Sequence, residues 1–483
     1  MSVSEQLLIP VNQNILDMEY AVRGPIPIRA AELRKQGKQT IPCNIGNPQA
    51  LGQDPITYYR QVLSLIEDPS RIERERRLNE LLRTDPEALA ALGDFGSISN
   101  YVLDLADKIL STHNANVGAY SDSNGLFFVR EAVVDFINKR DGFDPAGPLS
   151  ADPERIFLTD GASEGARHIL QLLITGPGDG IMVPIPQYPL YSATIKACGG
   201  TQVNYYPDED AGWVFDRGIL EESLESAKRK GINVKAIVVI NPGNPTGAIL
   251  DETTVREVID FAEENDIVVI ADEVYQENVY GAEFVSFARV LGDRNVPLVS
   301  FHSVSKGFYG ECGHRGGYME LRNPPTAAGT DLSFRDIIFK QASVALCSNL
   351  VGQIMVYLMV SPPEVGSEPY DQYIRERDAI LQELHEKATM IREGFTQMDS
   401  VECFGRTGAM YLFPRLGKLP AGKNDFDYCM ALLEETGLTT VNGAGFGQKE
   451  GTHHLRIAFL PPKEMIAEVL PRWIQFHNEY VDK

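Results

Sequence analysis

Between residues 150 and 305, short runs rich in Val and Ile alternate with helix-length amphipathic stretches, the pattern of a largely parallel sheet. The runs Arg155–Thr159, Gly180–Pro186, Lys235–Asn241, Ile267–Asp272 and Pro297–Ser303 are mostly apolar and do not alternate, as strands covered by helices on both faces should be. They predict the centre of a doubly wound α/β domain. Phe334–Val360 reads as one helical stretch ended by Pro362 and Pro363, because a proline lacks the backbone donor and its ring clashes with the preceding turn. Further on, Glu368–Met398 predicts a long helix with Pro369 in its first turn. Gly408–Pro414, Leu438–Val441 and His453–Phe459 predict strands of a smaller α+β domain, against which the N-terminal segment is expected to pack. Residues 68–111 are charged and helix-prone, with Leu78, Leu81, Leu82, Leu89 and Leu92 at roughly helical spacing, which predicts a surface helical insertion. The expected division is an N-terminal arm with part of the small domain and this insertion over 1–115, a large domain over 116–350, and a small C-terminal domain over 351–483.

Composition narrows the function classes. With 67 Asp and Glu against 44 Lys and Arg the net charge is −23, so the surface repels phosphate backbones and anionic lipids, and neither nucleic acid nor membrane is an expected partner. No block of like charge stands out, and solubility accounts for the acidity. The six cysteines, Cys43, Cys198, Cys312, Cys347, Cys403 and Cys429, have no zinc or redox spacing, so no metal is expected and the thiols read as reduced. Met1–Val22 contains no Lys or Arg, and no apolar run is long enough to span a bilayer. The expectation is therefore no signal peptide, transit peptide or anchor, and a cytoplasmic protein.

Four segments carry candidate chemistry, each at the C-terminal end of an apolar run, where ligands of doubly wound sheets bind. In Ser303-Val304-Ser305-Lys306-Gly307, leading into Gly313-His314-Arg315-Gly316-Gly317, a lysine that forms an imine would stand beside hydroxyls and an arginine suited to a phosphate monoester. Ordinary solvated charges in a strand-to-loop turn fit that segment equally. In Asn241-Pro242-Gly243-Asn244-Pro245-Thr246-Gly247, two prolines stiffen a loop that could hold the Asn244 amide toward a ligand oxygen. Asp272-Glu273-Val274-Tyr275 puts a carboxylate where it could pair with a ring nitrogen, or simply cap a helix. Thr159-Asp160-Gly161-Ala162-Ser163-Glu164 turns a strand into a helix whose first amides, with the Ser163 hydroxyl, make an anion site, although capping alone would also select Ser163. Downstream, Tyr188 in Pro186-Gln187-Tyr188-Pro189-Leu190-Tyr191 could stack on a planar ring, or serve only packing.

Taken together and in this order, the segments resemble the fold-type-I pyridoxal-phosphate enzymes, and within them the class I/II aminotransferases, over most of the chain. The resemblance implies pyridoxal 5′-phosphate as cofactor, with Lys306 as its Schiff-base lysine, Asp272 as partner of the pyridine nitrogen, and Asn244 with Tyr275 on the phenolic oxygen. It also implies ring stacking by Tyr188 and phosphate contacts from Ala162, Ser163, Ser303, Ser305 and Arg315. Tyr120, in Tyr120-Ser121-Asp122-Ser123-Asn124-Gly125, resembles the tyrosine that reaches the phosphate from a partner subunit, which implies a homodimer. Arg456, in His454-Leu455-Arg456-Ile457-Ala458-Phe459, matches the arginine that grips the substrate α-carboxylate; Gly46, in Ile45-Gly46-Asn47-Pro48, approaches the same group, and Asn244 also faces substrate.

Tyr20-Ala21-Val22-Arg23-Gly24, Gly118-Ala119-Tyr120-Ser121-Asp122-Ser123 and the stretch Lys306-Gly307 through Glu311-Cys312-Gly313 extend the resemblance to alanine aminotransferases and their glutamate:glyoxylate relatives. The implied reaction is ping-pong transamination of L-alanine and 2-oxoglutarate to pyruvate and L-glutamate, with Lys306 as base and then acid. Val441-Asn442-Gly443-Ala444-Gly445-Phe446-Gly447 departs from the usual pattern at Asn442 and Ala444, which bears on substrate preference and not on the cofactor. Three other readings compete. A lyase on the same scaffold would share the cofactor residues; a pyridoxal-phosphate-sensing transcription factor would need a basic recognition helix that the acidic N-terminal segment lacks. An unspecified α/β nucleotide-binding protein would need a glycine fingerprint or Walker loop after the first strand.

Overall fold

The computed structural model describes residues 9–19, 24–85, 87, 97–112 and 116–482. A seven-stranded sheet forms the centre of the large domain. Its strands are β1 (Ile156–Thr159), β2 (Asp179–Pro184), β3 (Thr201–Tyr205), β4 (Asn233–Ile240), β5 (Val268–Asp272), β6 (Leu298–Ser303) and β7 (Gly317–Arg322). They lie in the order β1-β7-β6-β5-β4-β2-β3, with β7 antiparallel to both its neighbours and the remaining pairs parallel. All five expected strands are present, with ends shifted by one or two residues.

The apolar runs have the predicted cause. Alternate residues of β4 enter opposite cores: Ile237 and Val239 pack with Leu224, Val255 and Phe261 from two helices on one face, while Val238 and Ile240 pack with Ile169, Leu170 and Ile195 from two helices on the other. Strands β3 and β7 are not among the expected ones. β3 is an edge strand whose Gln202 and Asn204 face away from buried Val203 and Tyr205, and β7 follows a glycine-rich loop that masks its apolar character.

Two expected helical features differ. Phe334–Val360 is two helices, Phe334–Val344 and Leu350–Val360. The chain breaks between them at Leu346, whose φ is 69°, and Asn349 restarts it by accepting from the Gly352 amide at 2.6 Å. Helices Ser70–Thr84 and Asn100–Asp107 occupy the stretch read as a surface insertion, but Ile72, Val102, Leu103 and Ala106 are buried in a core shared with Phe128, Val133, Ile354 and Met355. Leu81 is exposed, and Leu89 and Leu92 lie outside the described residues, as does Tyr20–Arg23. These contacts favour grouping the helices over 57–84 and 100–112, and Leu350–Val360, with the large sheet.

The N-terminal residues Ile26, Ala30, Leu33 and Ile41 pack with Leu384, Ile391, Leu432 and Trp473, and Ile41 pairs with Leu438. The long helix Tyr370–Phe395 has Pro369 at its N-cap. Short strands β8 (Tyr411–Leu412), β9 (Val441–Asn442) and β10 (Leu455–Ala458) form a sheet in the order β8-β10-β9, facing the C-terminal rim of the large one. No helix among the described residues is long and apolar enough to cross a membrane.

Candidate active site

At the C-terminal rim of β1, β4, β5 and β6 lies a cavity of about 250 Å³. Every residue expected at the site lines it, except Tyr120. The parallel order of the strands makes this possible: residues far apart in sequence leave neighbouring strands at the same end.

Lys306 follows β6 and donates from Nζ to the Gly46 carbonyl at 2.9 Å, with the Tyr275 ring 5.8 Å away. Asp272 ends β5 and is buried; its Oδ2 accepts from the Tyr191 hydroxyl at 2.8 Å, while its Oδ1 has no partner. Burial pushes the Asp272 carboxyl above its ordinary range, with the Tyr191 hydroxyl pulling the other way. The capping reading of Asp272 falls, because the chain turns through 274–277 and the next helix starts only at Phe287. Ser163 is not a cap either. Gly161 holds the N-cap position of helix Ala162–Leu173, with φ 80° and no side-chain cap.

That leaves the helix N-terminus facing Arg315, whose Nη2 donates to the Asp160 carbonyl at 2.7 Å and approaches the Ser163 hydroxyl at 3.4 Å. A Cβ on Gly161 would sit 2.5 Å from Arg315 Nη2, so only glycine lets the guanidinium close over the helix start. Ser303 and Ser305 line the same end, joined through their hydroxyls at 3.1 Å; Ser303 also donates to the Gly316 carbonyl. A helix N-terminus, two hydroxyls and an arginine converge there as an anion cradle.

The opposite end is built around Arg456 on β10, which is buried. Its Nη1 donates to Asn244 Oδ1 at 3.2 Å and its Nη2 to the Asn44 carbonyl at 2.7 Å, while Nε has no partner. The guanidinium lies between the Tyr411 and Phe446 rings, 4.3 and 4.7 Å from their centres. Asn244 Nδ2 donates to the Tyr275 hydroxyl at 3.4 Å, and Tyr275 donates to the Tyr411 hydroxyl at 3.3 Å. Burial pushes the Tyr411 hydroxyl up, but Lys306 and Arg456 beside it win and hold it below its ordinary value. A Cβ on Gly46 would overlap the Tyr411 hydroxyl, which is why this position admits only glycine. The unusual loop 441–447 forms β9 and the turn Gly443–Phe446, and so supplies the Phe446 side of the arginine sandwich.

Sequence reasoning missed Tyr411, Tyr191, Asn47 and Cys312, of which all but Tyr191 line the cavity. Tyr411 falls within an expected strand, but its place beside Arg456 depends on the antiparallel pairing of β8 with β10. Tyr191 stands three positions after Tyr188 in a segment already singled out, and helical spacing was the signal that could have found it. Tyr120 is 78% exposed and does not line its own chain's cavity. Among the described residues no group of three or more His, Cys, Asp or Glu side chains is arranged to hold a metal ion.

The family model for aminotransferase class I and II matches residues 94–472. Glutamate--glyoxylate aminotransferase 2 of Arabidopsis thaliana is 44% identical over 98% of this chain and 96% of its own length. A probable mitochondrial alanine aminotransferase of Dictyostelium discoideum is also 44% identical, covering 98% of this chain and 88% of that protein. Among solved structures, alanine aminotransferase from Pyrococcus furiosus superposes with a TM-score of 0.76 at 27% identity, covering 97% of this chain and all of that one.

Proposed function

The chain belongs to the class I and II aminotransferases, which are pyridoxal-phosphate-dependent enzymes, and from that premise we propose that it exchanges the amino group between L-alanine and 2-oxoglutarate, forming pyruvate and L-glutamate. The observation that carries the reading is the cavity itself: one lysine, one partnerless buried carboxylate oxygen, an anion cradle at one end and a stacked arginine at the other. These residues fit the cofactor. The cradle of Ala162, Ser163, Ser303, Ser305 and Arg315 would hold its phosphate, Asp272 Oδ1 would accept a hydrogen bond from its protonated ring nitrogen, Asn244 and Tyr275 would bond its phenolic oxygen, and Tyr188 would stack on the ring.

When bound, pyridoxal phosphate supplies an electron sink that makes the substrate α-hydrogen acidic and a carbon that carries the amino group. Lys306 holds the cofactor and, once freed by the incoming amine, its Nζ takes the Cα proton and later returns it. Arg456 grips the α-carboxylate and so sets the Cα–H bond upright to the ring, the geometry in which it breaks most easily. Gly46 leaves room for that carboxylate. Asp272 keeps its proton partner charged; replacing it with Asn retains the bond from Tyr191 but removes the negative charge. Asp272→Asn is therefore expected to lower kcat by about a hundredfold while cofactor affinity changes far less. Equal losses in both, measured by steady-state rates and cofactor titration, would remove this role.

The working unit we propose is a homodimer in which Tyr120 reaches the partner's phosphate cradle. Its support is the exposure of Tyr120 together with Val344 and Leu346, which stand 87% and 51% exposed in a segment joined to the Tyr120 loop by the Ser343–Ser123 hydrogen bond. Tyr120→Phe should then weaken cofactor affinity by roughly 1.5–3 kcal/mol, the worth of a hydrogen bond to a charged group. Sedimentation as a monomer, or unchanged cofactor affinity in Tyr120→Phe, would overturn the arrangement.

Glutamate with glyoxylate is the second reading, favoured by the equal 44% identity to the Arabidopsis enzyme of that name. Paired rate measurements separate the two: the proposal expects a higher kcat/KM with alanine and 2-oxoglutarate, and the reverse order would transfer the assignment.

A further inference from the structure

Arg456 is held from a side that the reaction does not use. Two residues earlier in the chain, His454 is buried between aromatic rings: it stacks on Phe413 at 4.8 Å and 5°, and Trp213 lies 6.0 Å away. Phe413 in turn meets Phe446, the ring that covers Arg456. The His454 ring is hydrogen-bonded at both nitrogens. Gln448 donates its amide hydrogen to Asp425 Oδ2 at 2.8 Å, which turns its Oε1 toward His454 Nδ1 at 2.9 Å. On the other side, His454 Nε2 lies 2.9 Å from Glu209 Oε1.

These partners come from different parts of the fold. His454, Gln448, Asp425 and Phe413 belong to the small C-terminal part. Glu209 and Trp213 belong to a large-domain loop between β3 and helix Arg217–Arg229, tied off by backbone bonds from Asp208 N to the Val214 carbonyl and from Trp213 N to the Asp208 carbonyl, both 2.7 Å. Arg415 also reaches Glu209, and it pairs with His454 across the strands.

We propose that Glu209 and His454 are positioning residues for the substrate carboxylate: their bond, continued through Gln448 to Asp425, holds the strand that carries Arg456 against the large domain. The physical reason is mechanical. β10 is short and buried, so the direction of the Arg456 side chain depends on how that strand is clamped, and the clamp sits two residues from it on the same side of the strand. Truncating the clamp loosens the arginine fork without touching the lysine, the phosphate cradle or Asp272. The inference rests on the reading of Arg456 as the carboxylate-binding residue.

Glu209→Ala removes one partner; His454→Phe keeps the stack on Phe413 but removes both ring hydrogen bonds. Each variant, and the double variant, is assayed as loaded enzyme for KM with L-alanine and with 2-oxoglutarate, with kcat and cofactor affinity measured alongside. Because both substrates offer the same α-carboxylate, each single variant should raise the two KM values by the same factor, about tenfold, with kcat and cofactor affinity near wild type. The double variant should be no worse than either single one, as for two ends of one interaction. Glu209→Gln, which keeps the size and one hydrogen bond, should recover most of the loss, and His454→Phe carries the test should Glu209→Ala not fold. Unchanged KM values, additive effects in the double variant, or loss of cofactor in step with activity would each overturn the clamp. A wild-type enzyme that transaminates alanine while the variants behave identically sinks the clamp alone; a wild-type enzyme that does not transaminate sinks the reading beneath it.

Discussion

Lys306→Ala is expected to leave a folded protein that no longer turns over. Among the described residues that line the cavity nothing else can take its place: Lys306 Nζ is the only amine among them, and the nearby hydroxyls of Tyr275 and Tyr411 are already tied to each other and to Asn244. Loss of a general base alone costs roughly a hundredfold to ten-thousandfold, and in the proposed function the same side chain would also anchor the cofactor, so the upper end of that range is expected. The other contacts to the cofactor are untouched, so the variant should still retain it. A small primary amine in the buffer should restore part of the rate by taking over the proton transfer. Turnover within tenfold of wild type, about 1.4 kcal/mol in barrier, would move the base elsewhere.

The second large effect belongs to Arg456→Lys. The charge stays, but the planar fork that reaches Asn244 and the Asn44 carbonyl at once is lost, and so is the flat face that lies between Tyr411 and Phe446. An ammonium in that place offers the carboxylate a point charge in place of two parallel bonds. Values of kcat/KM for both the amino acid and the oxo acid should fall by roughly 1.5–3 kcal/mol, about tenfold to 150-fold, mostly through KM. Binding and rate constants from steady-state kinetics with each substrate check this, and a wild-type KM for both would place the carboxylate site away from Arg456.

The parts of the molecule legible from sequence are those with a local cause. A strand buried on both faces must be an apolar run, and ligands of such sheets bind just after the runs; hence the pattern locates β1, β2, β4, β5 and β6 and the segments that hold Ser163, Asn244, Asp272 and Lys306, while the roles of these residues come from the family resemblance. Edge strand β3 alternates too weakly, and β7 hides behind glycines. The helix break at Leu346 depends on a tertiary contact, since the Asn349 side chain that caps the second helix also donates to Asp160 Oδ1 at 2.7 Å, beside the anion cradle. Tyr411 and the His454–Glu209 bond were out of reach for a similar reason. Both are products of strand pairing and domain packing between residues far apart in the chain, which periodicity does not encode.

The measurement that bears most directly on the central claim is the visible spectrum of the purified, cofactor-loaded protein, recorded alone, after L-alanine and again after 2-oxoglutarate. The band of the lysine-bound cofactor should fall when alanine is added, as the amino group moves onto the enzyme, and return when 2-oxoglutarate removes it. A band that alanine leaves unchanged while glutamate bleaches it and glyoxylate restores it would contradict the alanine assignment, and a protein that shows no such band after loading would contradict the placement of the cofactor on Lys306.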